Sequence, residues 1–255
     1  VSLGPGDPSL MTPQCLEALQ ACRAVAGYTG YIELVPADLL AGKEVVATGM
    51  RGEVERCERA IELAASGTDT AVVCSGDAGV YAMAGLLLEL LEARDLAESV
   101  DFAVLPGVPA VCAAAALLGA PLTHDFACVS LSDLLTPWEA VERRLRLAVE
   151  ADFVLGLYNP RSTRRTGQLE QALAVLREFR APDTPVGFVR NAFREGQKVR
   201  LVRLDEARAD MADMLSIVVA GSTASRSVAG RMLTPRGYAR KYQLDRDEAP
   251  APGKK

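Results

Sequence analysis

Four segments place glycine or proline and a polar side chain directly after an apolar run, an arrangement that lets backbone approach a ligand closely. They are Gly4-Pro5-Gly6-Asp7-Pro8, Ser75-Gly76-Asp77-Ala78-Gly79-Val80-Tyr81, Pro106-Gly107-Val108-Pro109-Ala110 and Leu157-Tyr158-Asn159-Pro160-Arg161. The first is a ligand-facing glycine turn or simply a tight turn. It is not the dinucleotide fingerprint, because Ser9 stands where the third glycine belongs. In the second, Asp77 accepts hydrogen bonds from a ligand hydroxyl or amine, or caps the helix that follows. The third lines a flat ligand with backbone groups, or is a rigid turn. The fourth leads into Arg164 and Arg165. Guanidinium groups fork onto carboxylates, and positive charge at a helix start opposes the helix dipole. That cluster therefore awaits an anion or is a solvated basic helix start. Gly49-Met50-Arg51-Gly52 and Val189-Arg190-Asn191-Ala192-Phe193-Arg194 also carry arginine after strand-like runs. They read as anion partners or as ordinary surface charge.

Composition narrows the chemistry. The 255 residues include one histidine, His124, so a histidine-based metal site lacks its ligands and a Ser-His-Asp triad would depend on this residue alone. No metal is expected. The six cysteines (Cys15, Cys22, Cys57, Cys74, Cys112 and Cys128) form no C-x-x-C pair and read as core thiols in a reducing cytoplasm. Net charge is −5, from 28 basic and 33 acidic residues, which gives no general attraction to nucleic acid. No run reaches the ~20 apolar residues that span a bilayer. The expected location is cytoplasmic, with no membrane partner.

These residues are positioned by alternating strands and helices. Val1–Leu3 reads as a strand end, and Thr12-Pro13 caps and opens a helix. Strands are expected at 24–27, 70–74, 102–105, 126–131, 153–158, 186–190, 198–204 and 215–220. Helices are expected at 53–66, with Val54, Cys57 and Ile61 on its apolar face, and at 81–93, 111–118 and 168–179. Thr136-Pro137-Trp138-Glu139 reads as a capping box opening a helix to Glu150, with Trp138 packing. The fold class is α/β, with two halves of about one domain each: 1–123, 124–243, then a disordered tail at 244–255. In open α/β sheets, ligands collect beyond the carboxyl ends of the strands.

Taken in order, Gly-Pro-Gly-Asp, Ser-Gly-Asp-Ala-Gly-Val-Tyr, Pro-Gly-Val-Pro-Ala, Tyr-Asn-Pro and Val-Val-Ala-Gly-Ser resemble the tetrapyrrole methylase family, the class III S-adenosylmethionine methyltransferases, from residue 2 to about residue 240. Further segments resemble the branch that methylates C17 of the macrocycle in cobalamin biosynthesis. They are Gly27-Tyr28-x-x-Tyr31-Ile32, Thr48-Gly49-Met50-Arg51-Gly52-Glu53-x-x-Arg56, Ser130 to Trp138, Val189-Arg190-Asn191-Ala192 and Thr234-Pro235-Arg236-Gly237-Tyr238.

The resemblance implies two α/β/α domains with the active site in the cleft between them, and a homodimer. S-adenosylmethionine, leaving as S-adenosylhomocysteine, would be held by Gly4, Pro5, Gly6, Gly76, Asp77, Val80, Tyr81, Pro109 and Ala110. From the second half, Leu157, Tyr158, Asn191, Ala192, Ala220 and Gly221 would complete the site. The carboxylate arms of a tetrapyrrole would meet Arg51, Arg161, Arg164, Arg190, Arg194 and Arg236, with Tyr28 beside them. For ring contraction, Asp7 is the candidate base, with Ser130, Ser132 and Asp133 as polar contacts. The rival readings are another methylase of the family, a dinucleotide oxidoreductase and a non-catalytic tetrapyrrole carrier.

Overall fold

The computed structural model describes residues 1–242; the expected tail at 244–255 lies outside them. Thr12 caps the first helix, its hydroxyl accepting from the Cys15 N–H at 3.3 Å, and Pro13 opens α1 (Pro13–Ala21). Then follow β1 (Ala24–Tyr28), two short helices α2 (Thr29–Ile32) and α3 (Ala37–Leu40), β2 (Glu44–Thr48), α4 (Glu53–Ala65), β3 (Thr70–Val73) and α5 (Met83–Ala93). The first sheet is parallel, in the order β2-β1-β3, with Ala24 opposite Glu44 on one side and Thr70 on the other. Val1–Gly4 lies along the continuation of β3, bridged through Ser2–Cys74 and Gly4–Gly76. The core of this half joins Leu3, Leu19, Val25, Ile32 and Val73, while α4 and α5 pack through Cys57, Ile61, Leu87 and Leu91.

Three expectations need correction here. Val54 is exposed, and the buried stripe of α4 is Arg56, Cys57, Ala60, Ile61 and Leu63. The run 102–105 forms no strand. At its end the carbonyls go to side chains instead: Ser2 Oγ donates to Leu105 O at 2.5 Å, and Thr12 Oγ1 to the next carbonyl, Pro106 O, at 3.4 Å. β2 was not expected at all.

The second half begins with α6 (Ala110–Leu118), β4 (Gly119–Ala120), β5 (Phe126–Ser130), α7 (Trp138–Glu150), β6 (Val154–Tyr158) and α8 (Gln168–Phe179). It continues through β7 (Pro185–Arg190), β8 (Lys198–Arg203), β9 (Ser216–Ala220), the hairpin β10 (Arg226–Val228) and β11 (Arg231–Leu233), and α9 (Tyr238–Lys241). The capping box at Thr136 does not form. Pro137 is extended (ψ 141°), so the helix starts at Trp138 without a side-chain cap. The five-stranded sheet runs β5-β6-β9-β7-β8; β5 and β6 are parallel and the other pairs antiparallel.

Alternation along the strands sends Leu155, Leu157, Phe188 and Val218 to the face covered by α7 and α8. Val154, Val189, Ile217 and Val219 go to the face covered by α6. Helix α6 can approach because that face carries Gly156 and Gly187; a Cβ at Gly156 would stand 2.7 Å from Val111 Cγ2. A boundary at 123 therefore falls after a helix whose apolar face packs on the second sheet. No helix among the described residues is long and apolar enough to cross a membrane.

Candidate active site

The first-half loops are knitted together by backbone. Gly4 and Gly76 exchange hydrogen bonds at 3.1 and 2.6 Å, both with positive φ (64° and 73°), where a side chain would be strained. Ser2 Oγ, fully buried, accepts from the Ala78 N–H at 2.8 Å. One oxygen of Asp77 accepts from the Gly79 N–H at 2.8 Å, and the other from the Gly107 N–H at 2.9 Å. Val80 closes the turn on the Asp77 carbonyl at 3.2 Å. Asp77 does not cap the following helix, which starts at Met83 without a side-chain cap; one oxygen closes its own turn and the other pins the third glycine segment to the second. Gly76 faces the start of α6, its missing Cβ 3.6 Å from the Ala110 nitrogen. Gly4–Gly6, Gly76–Tyr81 and Pro109–Ala110 therefore form one backbone-rich cradle.

The second half meets this cradle through Tyr158 and Arg194, and Tyr81 reaches across from the cradle to the second sheet. Tyr158 ends β6, and its hydroxyl accepts from the Val111 N–H at 3.1 Å. Tyr81, at the strained φ of 52°, donates to the Cys128 carbonyl at 2.9 Å, and its ring lies 4.9 Å from that of Tyr158. Burial pushes both phenols above their ordinary pKa, so at neutral pH they bond as hydroxyls. Leu157 is wholly buried, paired with Val129 on one side and Val218 on the other, and offers no surface to a ligand. Asn191, at φ 47°, and Ala192 sit in the turn after β7, and from that turn Arg194 donates to the Pro5 carbonyl and to Ser75 Oγ.

Some expected residues are elsewhere. Because β9 runs antiparallel to β6, Ala220 pairs with Leu155 and Val186, while Ser216 pairs with Arg190. Ala220 and Gly221 are buried at the end of the sheet opposite Tyr158 and Asn191, about 13 Å away along a strand rising ~3.3 Å per residue. Arg236 is at that far end too, lining a separate cavity with His124, Asp152 and Arg226.

Asp7 faces its own loop. It accepts from the Ser9 N–H at 2.9 Å and Ser9 Oγ at 2.7 Å, and these bonds hold its carboxyl below the ordinary range, which weakens it as a base. Ser130 Oγ accepts from Asn159 Nδ2 at 3.0 Å and the Ser132 N–H at 3.3 Å. Asp133 accepts from Gln168 at 2.7 Å and lies 3.8 Å from Arg165, which donates to the Leu131 and Asn159 carbonyls. These contacts brace the loop after β5 more than they aim reactive groups. Arg161 is half-buried beside Asp213 and Met214, and Arg164 is exposed. Arg190 pairs with Asp213 at 2.7 Å. Arg51 is exposed at φ 70°.

Arg56 was not among the expected site residues. It is 3% exposed, donates to Thr48 Oγ1 and the Gly49 carbonyl at 2.8 and 2.7 Å, and lies 6.0 Å from the Tyr28 ring. The signal was available, since Arg56, Ala60 and Leu63 share the helical spacing of a buried stripe.

Known proteins resemble this chain over most of its length. The sequence model for the Tetrapyrrole (Corrin/Porphyrin) Methylases matches residues 1–208. The chain is 47% identical to a probable cobalt-factor III C(17)-methyltransferase of Salmonella typhimurium, covering 93% of this chain and 98% of that one. It is 42% identical to a precorrin-3B C(17)-methyltransferase of a Sinorhizobium species, covering 94% and 96%. Among solved structures, that of the methyltransferase CobJ superposes with a TM-score of 0.87 at 40% identity, covering 92% and 97%.

Proposed function

This chain belongs to the tetrapyrrole methylases and is a methyltransferase, and on that premise we propose that it methylates C17 of precorrin-3B and contracts the macrocycle to precorrin-4 in cobalamin biosynthesis. The observation that carries the reading is the convergence of the three glycine segments with the Tyr81–Tyr158 pair where the two halves meet. A second reading, cobalt-factor III as substrate, draws on the higher identity to the Salmonella relative.

The residues suit S-adenosylmethionine by their chemistry: a backbone-lined cradle for a nucleoside, with aromatic faces beside it. Gly4, Pro5, Gly6, Gly76, Asp77, Val80, Tyr81, Pro109, Ala110, Tyr158, Asn191 and Ala192 would hold it. When bound, this cofactor supplies a methyl group on a good leaving group. The protein contributes proximity and orientation, a large share of the barrier in such transfers. Asp77 fixes the cradle by joining two of its loops. Tyr81 and Tyr158 stay protonated and close one wall. Arg51, Arg161, Arg164 and Arg194 would bind the acidic arms, Arg190 sharing its charge with Asp213, with Tyr28 beside them. The contraction step needs a proton acceptor; the bonding of Asp7 disfavours it in that role. A homodimer is part of the reading, and light scattering measures it.

The test is incubation with S-adenosylmethionine and either precorrin-3B or cobalt-factor III. The expected result is one added methyl group and stoichiometric S-adenosylhomocysteine. Turnover of neither substrate contradicts the reading, and turnover of the cobalt form alone selects the second one.

A further inference from the structure

Most arginines drawn out of water in this protein face a carboxylate. Arg180 lies 3.1 Å from Asp152, Arg190 lies 2.7 Å from Asp213, and Arg165 lies 3.8 Å from Asp133. Arg194 and Arg56 do not. Arg194 reaches from the turn after β7 across to the first half, where its hydrogen bonds go to the Pro5 carbonyl and Ser75 Oγ, both neutral. Gly6, at φ 126° where a side chain is strained, leaves the space that the Arg194 side chain occupies. Arg56 bonds only to neutral groups, Thr48 Oγ1, the Gly49 carbonyl and Met83 Sδ.

The two cations flank a pair of phenols. The rings of Tyr28 and Tyr31 meet edge to face at 5.2 Å, with Arg56 over Tyr28. Burial raises the Tyr31 pKa, and both Arg194 and Arg56 act on it electrostatically. Desolvation lowers the pKa of Arg194, and its hydrogen bonds among the described residues go to neutral groups. A desolvated cation with neutral partners alone is costly to keep, and a guanidinium has five donors, of which Arg194 uses two.

We propose that Arg194, with Arg56 behind Tyr28 and Tyr31 as a second positive charge, forms a carboxylate-binding subsite where the two halves meet. The inference rests on the functional reading above, which supplies two carboxylates. One is the amino-acid end of the cofactor; the other is an acetate or propionate arm of the macrocycle. Arg194 is the contact residue. Arg56 is too buried to touch a ligand and acts through the field at the phenols.

Calorimetric titration separates the sources. The probes are S-adenosylhomocysteine and 5′-methylthioadenosine, a related nucleoside thioether without the amino acid. If the cofactor supplies the carboxylate, Arg194→Gln weakens S-adenosylhomocysteine by about tenfold or more, leaves methylthioadenosine unchanged, and Arg194→Lys recovers part of the loss. If the macrocycle supplies it, both nucleosides bind Arg194→Gln as they bind the wild type. KM for the macrocycle then rises about tenfold, kcat holds, and esterifying the macrocycle's carboxylates costs the wild type a similar factor. Equal weakening of both nucleosides marks Arg194 as a structural latch and overturns the proposal, as does no change in any of these quantities. If the wild type binds neither nucleoside nor macrocycle, the functional reading fails and the subsite with it. Normal binding by the wild type with indifferent variants sinks the subsite alone.

Discussion

Asp7 and Asp77 both follow a glycine in a turn, and their surroundings give them different work. Asp7 accepts two bonds from Ser9 and nothing beyond. Asparagine caps as well as aspartate, so Asp7→Asn should keep turnover near the wild-type rate; a loss of about 10²-fold or more would restore Asp7 as the base. Asp77 joins two loops 30 residues apart. Asp77→Ala strands the Gly79 and Gly107 N–H groups, at about 1–3 kcal/mol each if they stay dry. It should lower the melting temperature and weaken S-adenosylhomocysteine, read by thermal denaturation and calorimetry. The helix cap read from the sequence does not form, because α5 starts only at Met83. The Gly107 bond was not legible in the sequence, because only the fold sets that approach. The same limit hid Arg194: its arginine suggested an anion partner, but its reach to Pro5 and Ser75 depends on how the halves meet.

At the scale of elements, long periodic segments were legible and short or tertiary-dictated ones were not. Helix α8 occupies the expected 168–179, because its apolar stripe Leu169, Ala172, Leu173 and Leu176 is buried on one face. β2 escaped notice because it is an edge strand, mostly exposed, whose place comes from pairing with β1. The run 102–105 was apolar enough for a strand, yet side chains of Ser2, Thr12 and Cys15 claim the carbonyls of Leu105 and Pro106. The alanines of α6 announced close packing, and Gly156 and Gly187 are what they pack against. Gly156→Ala would drive a methyl into Val111 and should destabilise by about 1–3 kcal/mol, the usual cost of overpacking. Denaturant titration measures this, and an unchanged midpoint would mean that α6 shifts freely over the sheet.

For the whole molecule, the net charge is −5, and the arginines expected to share one cleft are spread over several places, with Arg194 bridging the two halves. Chain order alone could not place Ala220, Gly221 and Arg236, because strand direction decides which end of a sheet a residue occupies. The antiparallel β9 carries them away from Tyr158 and Asn191. The Arg190–Asp213 pair sets a pH dependence. Burial raises the Asp213 pKa, but bonds from Arg190, Ser216 and the Leu215 N–H outweigh it and hold the group below its ordinary value. A depressed carboxylate stabilises the fold above its unfolded pKa and loses that contribution as pH falls through the folded one. Asp213→Asn should therefore be less stable than wild type at neutral pH, the gap closing below the ordinary carboxylate range; a gap independent of pH contradicts the pairing. The central claim concerns where one carbon goes. With S-adenosylmethionine labelled by ¹³C at its methyl group, carbon NMR of the product should show the label attached at C17 of a contracted ring. A label at any other ring carbon, or on an uncontracted macrocycle, would contradict it.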